Sequence, residues 1–171
     1  MRKVTTALLL VVAICAAQDG PEFTPAGLLR RPNAYREWIY LSSGLGMTYD
    51  PPPAKAQSEN PNFDNVFVNR EAYQGFLNSR HWPDKTIFVL EIRASESKGS
   101  INLGGYFQTK PIALEIHVKD EKRFPGKWAF FEFPNGAETA KQIPTSESCY
   151  SCHAEHGAVE TTFVQFYPTL H

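Results

Sequence analysis

The sequence is poor in cysteine and methionine, and it has almost no net charge. Its 171 residues include 3 cysteines and 2 methionines, which is too few cysteines to indicate a disulfide scaffold. The 17 basic and 18 acidic residues give a net charge of -1. A basic surface of the kind that binds nucleic acid is therefore absent, and we expect no nucleic-acid partner.

Long apolar runs are also lacking, apart from one near the N-terminus. Val4–Ile14 follows Arg2 and Lys3 and precedes three small residues at positions 15–17. The run is too short to span a bilayer comfortably, and it has the length of the apolar part of a signal peptide. We therefore predict a signal peptide at residues 1–17, a periplasmic or otherwise exported protein, and no membrane contact after cleavage. The alternative is a short membrane anchor.

The chain shows no internal repeat and no second domain, so one folded domain is predicted at residues 34–171. Residues 18–33 are rich in glycine and proline and are predicted to be a loose lead-in. Residues 44–62 contain four prolines and have the composition of a long loop. A connection of this length in a compact domain is either a mobile insertion or a flap.

Within the domain, strand patterns recur with short polar turns between them. A helix is predicted at residues 70–79, and residues 34–41 fit either a short helix or a strand. Strands are predicted at residues 65–69, 86–93, 112–118 and 127–133, with a weaker one at 106–107. In the third of these, Ile112, Leu114, Ile116 and Val118 alternate with Ala113, Glu115 and His117, as in a half-buried strand. The predicted fold class is α+β, mainly an antiparallel β-sheet with a few short helices.

Chemistry is carried by the C-terminal segment Cys149-Tyr150-Ser151-Cys152-His153, a C-x-x-C-H attachment motif for c-type haem. Two thiols three residues apart on a helical turn can reach the two vinyl groups on one edge of a porphyrin and form thioethers. The adjacent histidine then lies beneath the iron as an axial ligand. We predict one covalent haem c bound through Cys149, Cys152 and His153, with His153 as the metal ligand.

Three other interpretations of the motif stay open at this point. A redox dithiol of the thioredoxin type is possible, although Cys149 does not follow a strong strand in a βαβ pattern. A zinc site from Cys149, Cys152, His153 and His156 has suitable ligand types, but four ligands within eight residues would make an awkward tetrahedron. The third is a chance motif without a cofactor.

The sixth coordination position decides the function, and few residues can fill it. After removal of the signal peptide the only methionine is Met47, in a glycine-rich loop. His117 lies on the strand face opposite the apolar residues, and His156 is too close to His153 to reach the other side of the ring. The remaining candidates are His81 and His171. We expect an open or water-filled sixth position, with a six-coordinate electron carrier that uses Met47 as an alternative.

Several short segments, which follow one another in a particular order along the chain, resemble those of a known family when they are taken together with the attachment motif. They are residues 35–38 (YREW), 66–68 (VFV), 71–73 (EAY), 82–86 (WPDKT), 105–107 (GYF), 118–120 (VKD), 123–124 (RF), 128–130 (WAF) and 162–168 (TFVQFYP). The chain resembles the cytochrome P-460 family, which includes the cytochromes c′-beta, from about Tyr35 to its end.

The resemblance implies a mainly antiparallel β fold, often dimeric, with a five-coordinate haem. In the P-460 enzymes a lysine side chain is also cross-linked to the porphyrin, and those enzymes oxidise hydroxylamine with nitric oxide as an intermediate. In the c′-beta members the cross-link is missing, and the haem binds nitric oxide or carbon monoxide in an apolar distal pocket.

The sequence departs from the enzymes at the cross-linking position, which aligns with Leu90. Leucine cannot form a bond to the porphyrin, and Phe88, Leu90 and Ile92 share one face of their strand. We therefore expect Leu90 and Phe88 to contact the haem and that wall to be apolar, without a general base. If the alignment slips by one residue, Glu91 faces the haem instead. The alternative is that Phe88, Leu90 and Ile92 belong to the hydrophobic core and have no role in haem binding.

The leading hypothesis is a periplasmic c-type cytochrome with one five-coordinate haem that binds nitric oxide or a related small nitrogen or diatomic ligand. One alternative is a haem enzyme that oxidises hydroxylamine or peroxide. The other is the electron carrier with Met47. A redox partner protein and a homodimer are possible partners in each case.

Overall fold

A five-stranded antiparallel sheet lies at the centre of the fold in the computed structural model, which describes residues 19–48, 60–134 and 136–171. The predicted signal peptide and residues 49–59 of the predicted Pro-rich loop lie outside the described residues. The strands are β1 (Leu29–Arg30), β2 (Ile39–Leu45), β3 (Phe63–Val68), β4 (Ile87–Glu96), β5 (Phe107–Lys119), β6 (Trp128–Pro134) and β7 (Thr139–Ala140). The α-helices are α1 (Arg70–Ser79) and α2 (Ser148–His156), and short 3-10 helices span Tyr35–Glu37, Val164–Phe166 and Pro168–Leu170.

The central sheet has the strand order β2-β3-β4-β5-β6, and each neighbouring pair is antiparallel. Helix α1 connects β3 to β4, and β1 pairs with β7 in a separate two-stranded sheet. Because successive strands are neighbours, residues on one face of the sheet can be identified from the alternation along each strand. Val66, Leu90 and Glu115 are partners across β3, β4 and β5, and so they share a face.

Both faces of the sheet are covered. On the first face, Val89, Leu114, Ile116 and Phe131 pack with Leu29 from β1. Burial of such side chains stabilises the fold by about 1.5–3 kcal/mol each. Since this core uses every second residue of β4 to β6, the alternate residues of the same strands are left for the other face.

The second face is covered by α1 and by the C-terminal 3-10 helices. Phe88 and Trp128 pack there with Phe76 of α1 and with Tyr167 and Leu170 of the C-terminal segment. Trp82 stacks on Phe76 with ring centroids 4.2 Å apart. This second core occupies one part of the face and leaves space beside it for the site described below.

The predicted fold class is confirmed, and several elements agree closely with the sequence patterns. Helix α1 has the predicted bounds, and residues 34–41 divide between a 3-10 turn and the start of β2. Strand β5 is longer than predicted, because irregular pairing at Arg93 lets the β4–β5 hairpin continue past Pro111. His117 and Lys119 of β5 are buried, so this end of the strand is covered on both faces rather than half-buried. None of the helices in the described residues is long and apolar enough to cross a membrane.

Candidate functional site

A cavity of about 520 Å³ lies between the second face of the sheet and the C-terminal segment. Its sheet side is formed by alternate residues of strands β2 to β6. Its other side is formed by α2 and by the segment that follows it. The cavity therefore brings the C-terminal motif against the sheet face that carries Leu90.

Helix α2 contains the whole Cys149–His153 motif, so both thiols lie on the same stretch of helix, as the attachment chemistry requires. Cys149 and Cys152 are half-buried and form no disulfide. Cys152 and His153 line the cavity. None of the nine residues of α2 is buried, although a helix this short gains most of its stability from packing. A large apolar group seated in the cavity and bonded to the two thiols would supply that packing, so the residues present fit a haem.

His153 is held in the tautomer that suits a metal ligand. Its Nδ1 lies 2.8 Å from the carbonyl oxygen of Thr161. A carbonyl can only accept, so Nδ1 carries the hydrogen and Nε2 keeps its lone pair. Burial lowers the pKa of His153 and outweighs the opposing effect of the Thr161 hydrogen bond. The ring is therefore favoured in its neutral form, which is the one that binds a metal.

Aromatic rings surround the His153 imidazole. The ring centroids of Phe163 and Phe130 lie 4.3 Å and 4.5 Å away. The His117 ring meets His153 edge-on at 5.1 Å and is stacked on Phe130 at 4.0 Å. These contacts fix the ring plane of His153 from several sides.

His117, which the sequence offered only as one of several candidates for the sixth ligand, lines the cavity beside His153. Its Nε2 lies 3.2 Å from Thr161 Oγ1. Burial, followed by the neighbouring His153, lowers the pKa of His117 well below its usual value, so the ring stays neutral. The signal was present in the sequence, since His117 alternates with the apolar residues of β5. Only the pairing of His117 with Phe88 reveals that this face of β5 borders the cavity.

Phe88 and Leu90 line the cavity, and Val66 lies beside Leu90 on the next strand. Ile92 is not among the lining residues, although it shares their face. Glu91 points away from the cavity, into the opposite side of the sheet, and is 2% exposed. The alternative in which Glu91 faces the site is therefore wrong, because the apolar core of the first face includes its neighbours in β5 and β6.

Glu91 instead belongs to a separate polar cluster. It accepts hydrogen bonds from the Tyr35 hydroxyl at 2.9 Å and from Arg93 Nη1 at 2.8 Å, and it also pairs with Arg36. Burial, with the Glu91 hydrogen bond, raises the pKa of Tyr35 to about 12. Burial opposes ionisation of Glu91, but its hydrogen bonds to Arg36 and Tyr35 outweigh burial and lower its pKa.

The expectation of a wholly apolar wall is wrong, because Asp64 and Glu115 also line the cavity. Burial raises the pKa of both carboxyls, and nearby Glu132 and Asp64 add to the effect on Glu115. A raised pKa makes a carboxyl easier to protonate than an ordinary surface carboxylate, and hence a better proton acceptor. The apolar expectation rested on the residues of β4 alone. Asp64 and Glu115 come from the neighbouring strands β3 and β5, which form parts of the same wall.

Met47 lies at the edge of the cavity and is 51% exposed. Its Sδ packs directly over Gly44, so a side chain at position 44 would require Met47 to move. The structure places Met47 near the site without burying it there.

The zinc alternative is not supported by the geometry. Within residues 19–48, 60–134 and 136–171, no three His, Cys, Asp or Glu side chains come together in an arrangement that could hold a metal ion. His156 is an exposed residue whose nearest charged neighbour is Glu155, with 3.9 Å between Nε2 and Oε2.

Comparison with known proteins adds one finding to this geometry. The family model described as Cytochrome P460 matches residues 32–164, which include all of the central sheet and the Cys149–His153 motif. No curated protein matches the chain.

Proposed function

The chain belongs to the cytochrome P460 family, and from this premise we propose that it is an exported cytochrome whose single covalent haem offers an open coordination position to nitric oxide or a related small neutral ligand. Membership of the family implies a c-type haem protein. The observation that carries the proposal is the cavity in which His153, with its Nε2 free, faces a wall containing Phe88 and Leu90.

Attachment is proposed through Cys149 and Cys152, with His153 as the axial ligand. The two thiols are unpaired on one short helix, and the His153 imidazole is neutral and oriented. The haem, when bound, supplies the iron that coordinates the ligand and exchanges electrons. The protein supplies attachment, a fixed imidazole and a shaped wall.

An open sixth position is supported by the state of two candidate ligands that line the cavity. His117 is buried, contacts Thr161 through Nε2 and lies against the ring of His153 itself. Met47 is half-exposed at the edge of the cavity. Neither side chain is presented as a preformed second axial ligand, which favours an exogenous ligand at the iron.

The charge of the cavity wall favours a neutral ligand over an anion. Asp64 and Glu115 are carboxyls, and no Lys or Arg is found among the lining residues that the structure describes. A carboxylate close to the iron would repel an anion such as azide, whereas it would not oppose nitric oxide. Phe88, Leu90 and Val66 provide the apolar contacts that suit a diatomic molecule.

A second candidate function, hydroxylamine oxidation, is favoured by Glu115. Oxidation of hydroxylamine releases protons, and a carboxyl of raised pKa in the same cavity could accept one. Leu90 excludes the lysine cross-link that the resemblance associates with the enzymes. We therefore rank ligand binding first and hydroxylamine oxidation second.

Export, a redox partner and a homodimer are further parts of the proposal. Residues 1–17 have the pattern of a signal peptide, and haem attachment to such a motif takes place outside the cytoplasm. The hairpin between β4 and β5 presents Ile101 and Leu103 almost fully to solvent, which suits a contact with another protein chain. Sedimentation of the purified holoprotein and a Leu103→Ser variant would measure the oligomeric state.

The proposed function is tested by titrating the reduced holoprotein, made in a host with cytochrome c maturation, with nitric oxide and with carbon monoxide. We expect saturable binding of both gases, seen as a change in the haem absorption spectrum. A spectrum indifferent to both gases would contradict the proposal. Turnover of hydroxylamine with an electron acceptor, abolished in Glu115→Gln, would establish the second candidate function instead.

A further inference from the structure

The turn Val159–Thr162 follows helix α2 directly and carries the carbonyl that His153 contacts. Val159 and Thr162 form an isolated β-bridge that closes the turn. Glu160 within it has a φ of 53°, a left-handed conformation that a residue with a side chain adopts only when its surroundings hold it there. The contacts that hold this turn therefore bear on the position of the Thr161 carbonyl.

Glu160 binds three donors on the sheet side of the turn. Its Oε2 accepts from Trp128 Nε1 at 2.8 Å and from Lys119 Nζ at 2.9 Å, and its Oε1 accepts from the Trp82 backbone nitrogen at 3.3 Å. Lys119 Nζ also donates to the Trp82 carbonyl oxygen at 2.6 Å. The carboxylate thus ties the turn to the end of β5, the start of β6 and the segment after α1.

This ion pair is largely shielded from water, since the side chains of Lys119 and Glu160 are 8% and 23% exposed. Charge-assisted hydrogen bonds in such a setting are short and directional. Without the Glu160 charge, Lys119 would keep only the longer pair with Glu121, at 3.7 Å, and the Trp82 carbonyl. The turn would then lose its closest ionic contact and would shift. The Glu160 carboxylate is therefore a fixed point of the turn, although the residue as a whole reaches the surface.

The two residues after Glu160 are also anchored. Thr161 Oγ1 lies 3.2 Å from His117 Nε2, and Thr162 Oγ1 accepts from Trp82 Nε1 at 2.8 Å. Three consecutive residues thus bind groups on the sheet side. Between them, the Thr161 carbonyl oxygen points back to His153 Nδ1 at 2.8 Å.

We propose that Glu160 is a positioning residue for the iron ligand: its bonds to Lys119 and Trp128 hold the turn so that the Thr161 carbonyl accepts a strong hydrogen bond from His153. This inference rests on the proposed function, in which His153 binds the haem iron. A strong hydrogen bond from Nδ1–H lets Nε2 donate more electron density to the iron. This strengthens the iron–histidine bond and favours the oxidised state of the haem. Weakening the bond raises the reduction potential.

The test compares the holoprotein with Glu160→Gln by resonance Raman spectroscopy of the reduced form and by redox titration. Glutamine keeps the size of the side chain but removes the charge that holds Lys119. We expect the iron–histidine stretching band to move to lower frequency and the reduction potential to rise. Glu155→Gln is the matched control, because it removes an exposed carboxylate from the helix that carries His153. We expect that control to leave the stretching band in place.

Trp128→Phe provides a second variant in case Glu160→Gln does not fold. It removes the Nε1–H donor to Glu160 and keeps a smaller aromatic ring beside His117 and Lys119. We expect a smaller shift of the band in the same direction. An iron–histidine band that is unmoved in the folded variants, with only a loss of thermal stability, would overturn the inference while leaving the gas titration intact. A reduced wild-type protein with no iron–histidine band would overturn the proposed function and this inference together.

Discussion

Leu90 and Glu115 are direct partners across strands β4 and β5, and both side chains border the cavity that faces His153. The position that the family resemblance assigns to a cross-linking lysine is therefore apolar here, while a carboxyl of raised pKa stands beside it. This pair illustrates the character of the site, which combines apolar contact surface with carboxyls of raised pKa.

Replacing Glu115 by glutamine should change the selectivity of the iron for charged ligands. Removing the carboxylate removes its repulsion of anions, so at mildly alkaline pH the affinity of the oxidised protein for azide should rise by on the order of tenfold. The affinity of the reduced protein for nitric oxide should not change, since nitric oxide is neutral. Spectroscopic titrations measure both.

Glu71→Gln is the control for that experiment, because it removes an exposed carboxylate from α1, which lies away from the lining residues. Azide affinities that respond equally to Glu71→Gln and Glu115→Gln would show that overall charge, rather than the cavity wall, governs the effect.

Loss of both thiols should abolish covalent attachment. In the Cys149→Ala and Cys152→Ala double variant, haem should be fully extracted by acidified acetone, whereas in Ser151→Ala, changed within the same motif, it should stay with the polypeptide. Mass spectrometry of the extracted chains checks the result. Haem that resists extraction from the double variant would disprove attachment through these residues.

Phe88 should be important for stability as well as for the wall of the site. It is 5% exposed and packs against Trp82, Trp128 and Tyr167. Phe88→Ala should lower the free energy of unfolding by about 3–5 kcal/mol, because it removes a buried ring and leaves a cavity. Denaturant titration measures the change, and Phe166→Ala, at a residue that is 53% exposed, should have a much smaller effect.

The Glu91 cluster should make stability depend on pH on the acid side. The lowered pKa of Glu91 means that its contribution is complete above the pKa of an unfolded glutamate and is lost as the pH falls through the folded value. Glu91→Gln should lower the free energy of unfolding by about 2–4 kcal/mol at neutral pH. This range is below that of a fully buried ion pair because Arg36 is largely exposed. Unfolding titrations at neutral and acid pH should converge for the two proteins. A constant difference across the range would contradict this assignment.

The fold was largely predictable because its elements carry local patterns. Helix α1 and the strands could be placed from the spacing of apolar residues, and the attachment motif follows from five consecutive residues. The wall of the site was less predictable, since the exposure of Glu115 and His117 to the cavity depends on strand register. The Glu160 contacts were not predictable at all, because they join Glu160 to residues from three other segments with no common pattern.

The central claim is that His153 is the only protein ligand to an iron with an open sixth position. Resonance Raman and magnetic circular dichroism spectra of the reduced holoprotein without added ligand test it most directly, with Met47→Leu as the companion variant. The account predicts a five-coordinate, high-spin haem with an iron–histidine stretching band, identical in the two proteins. A six-coordinate, low-spin spectrum that becomes high-spin in Met47→Leu would contradict it.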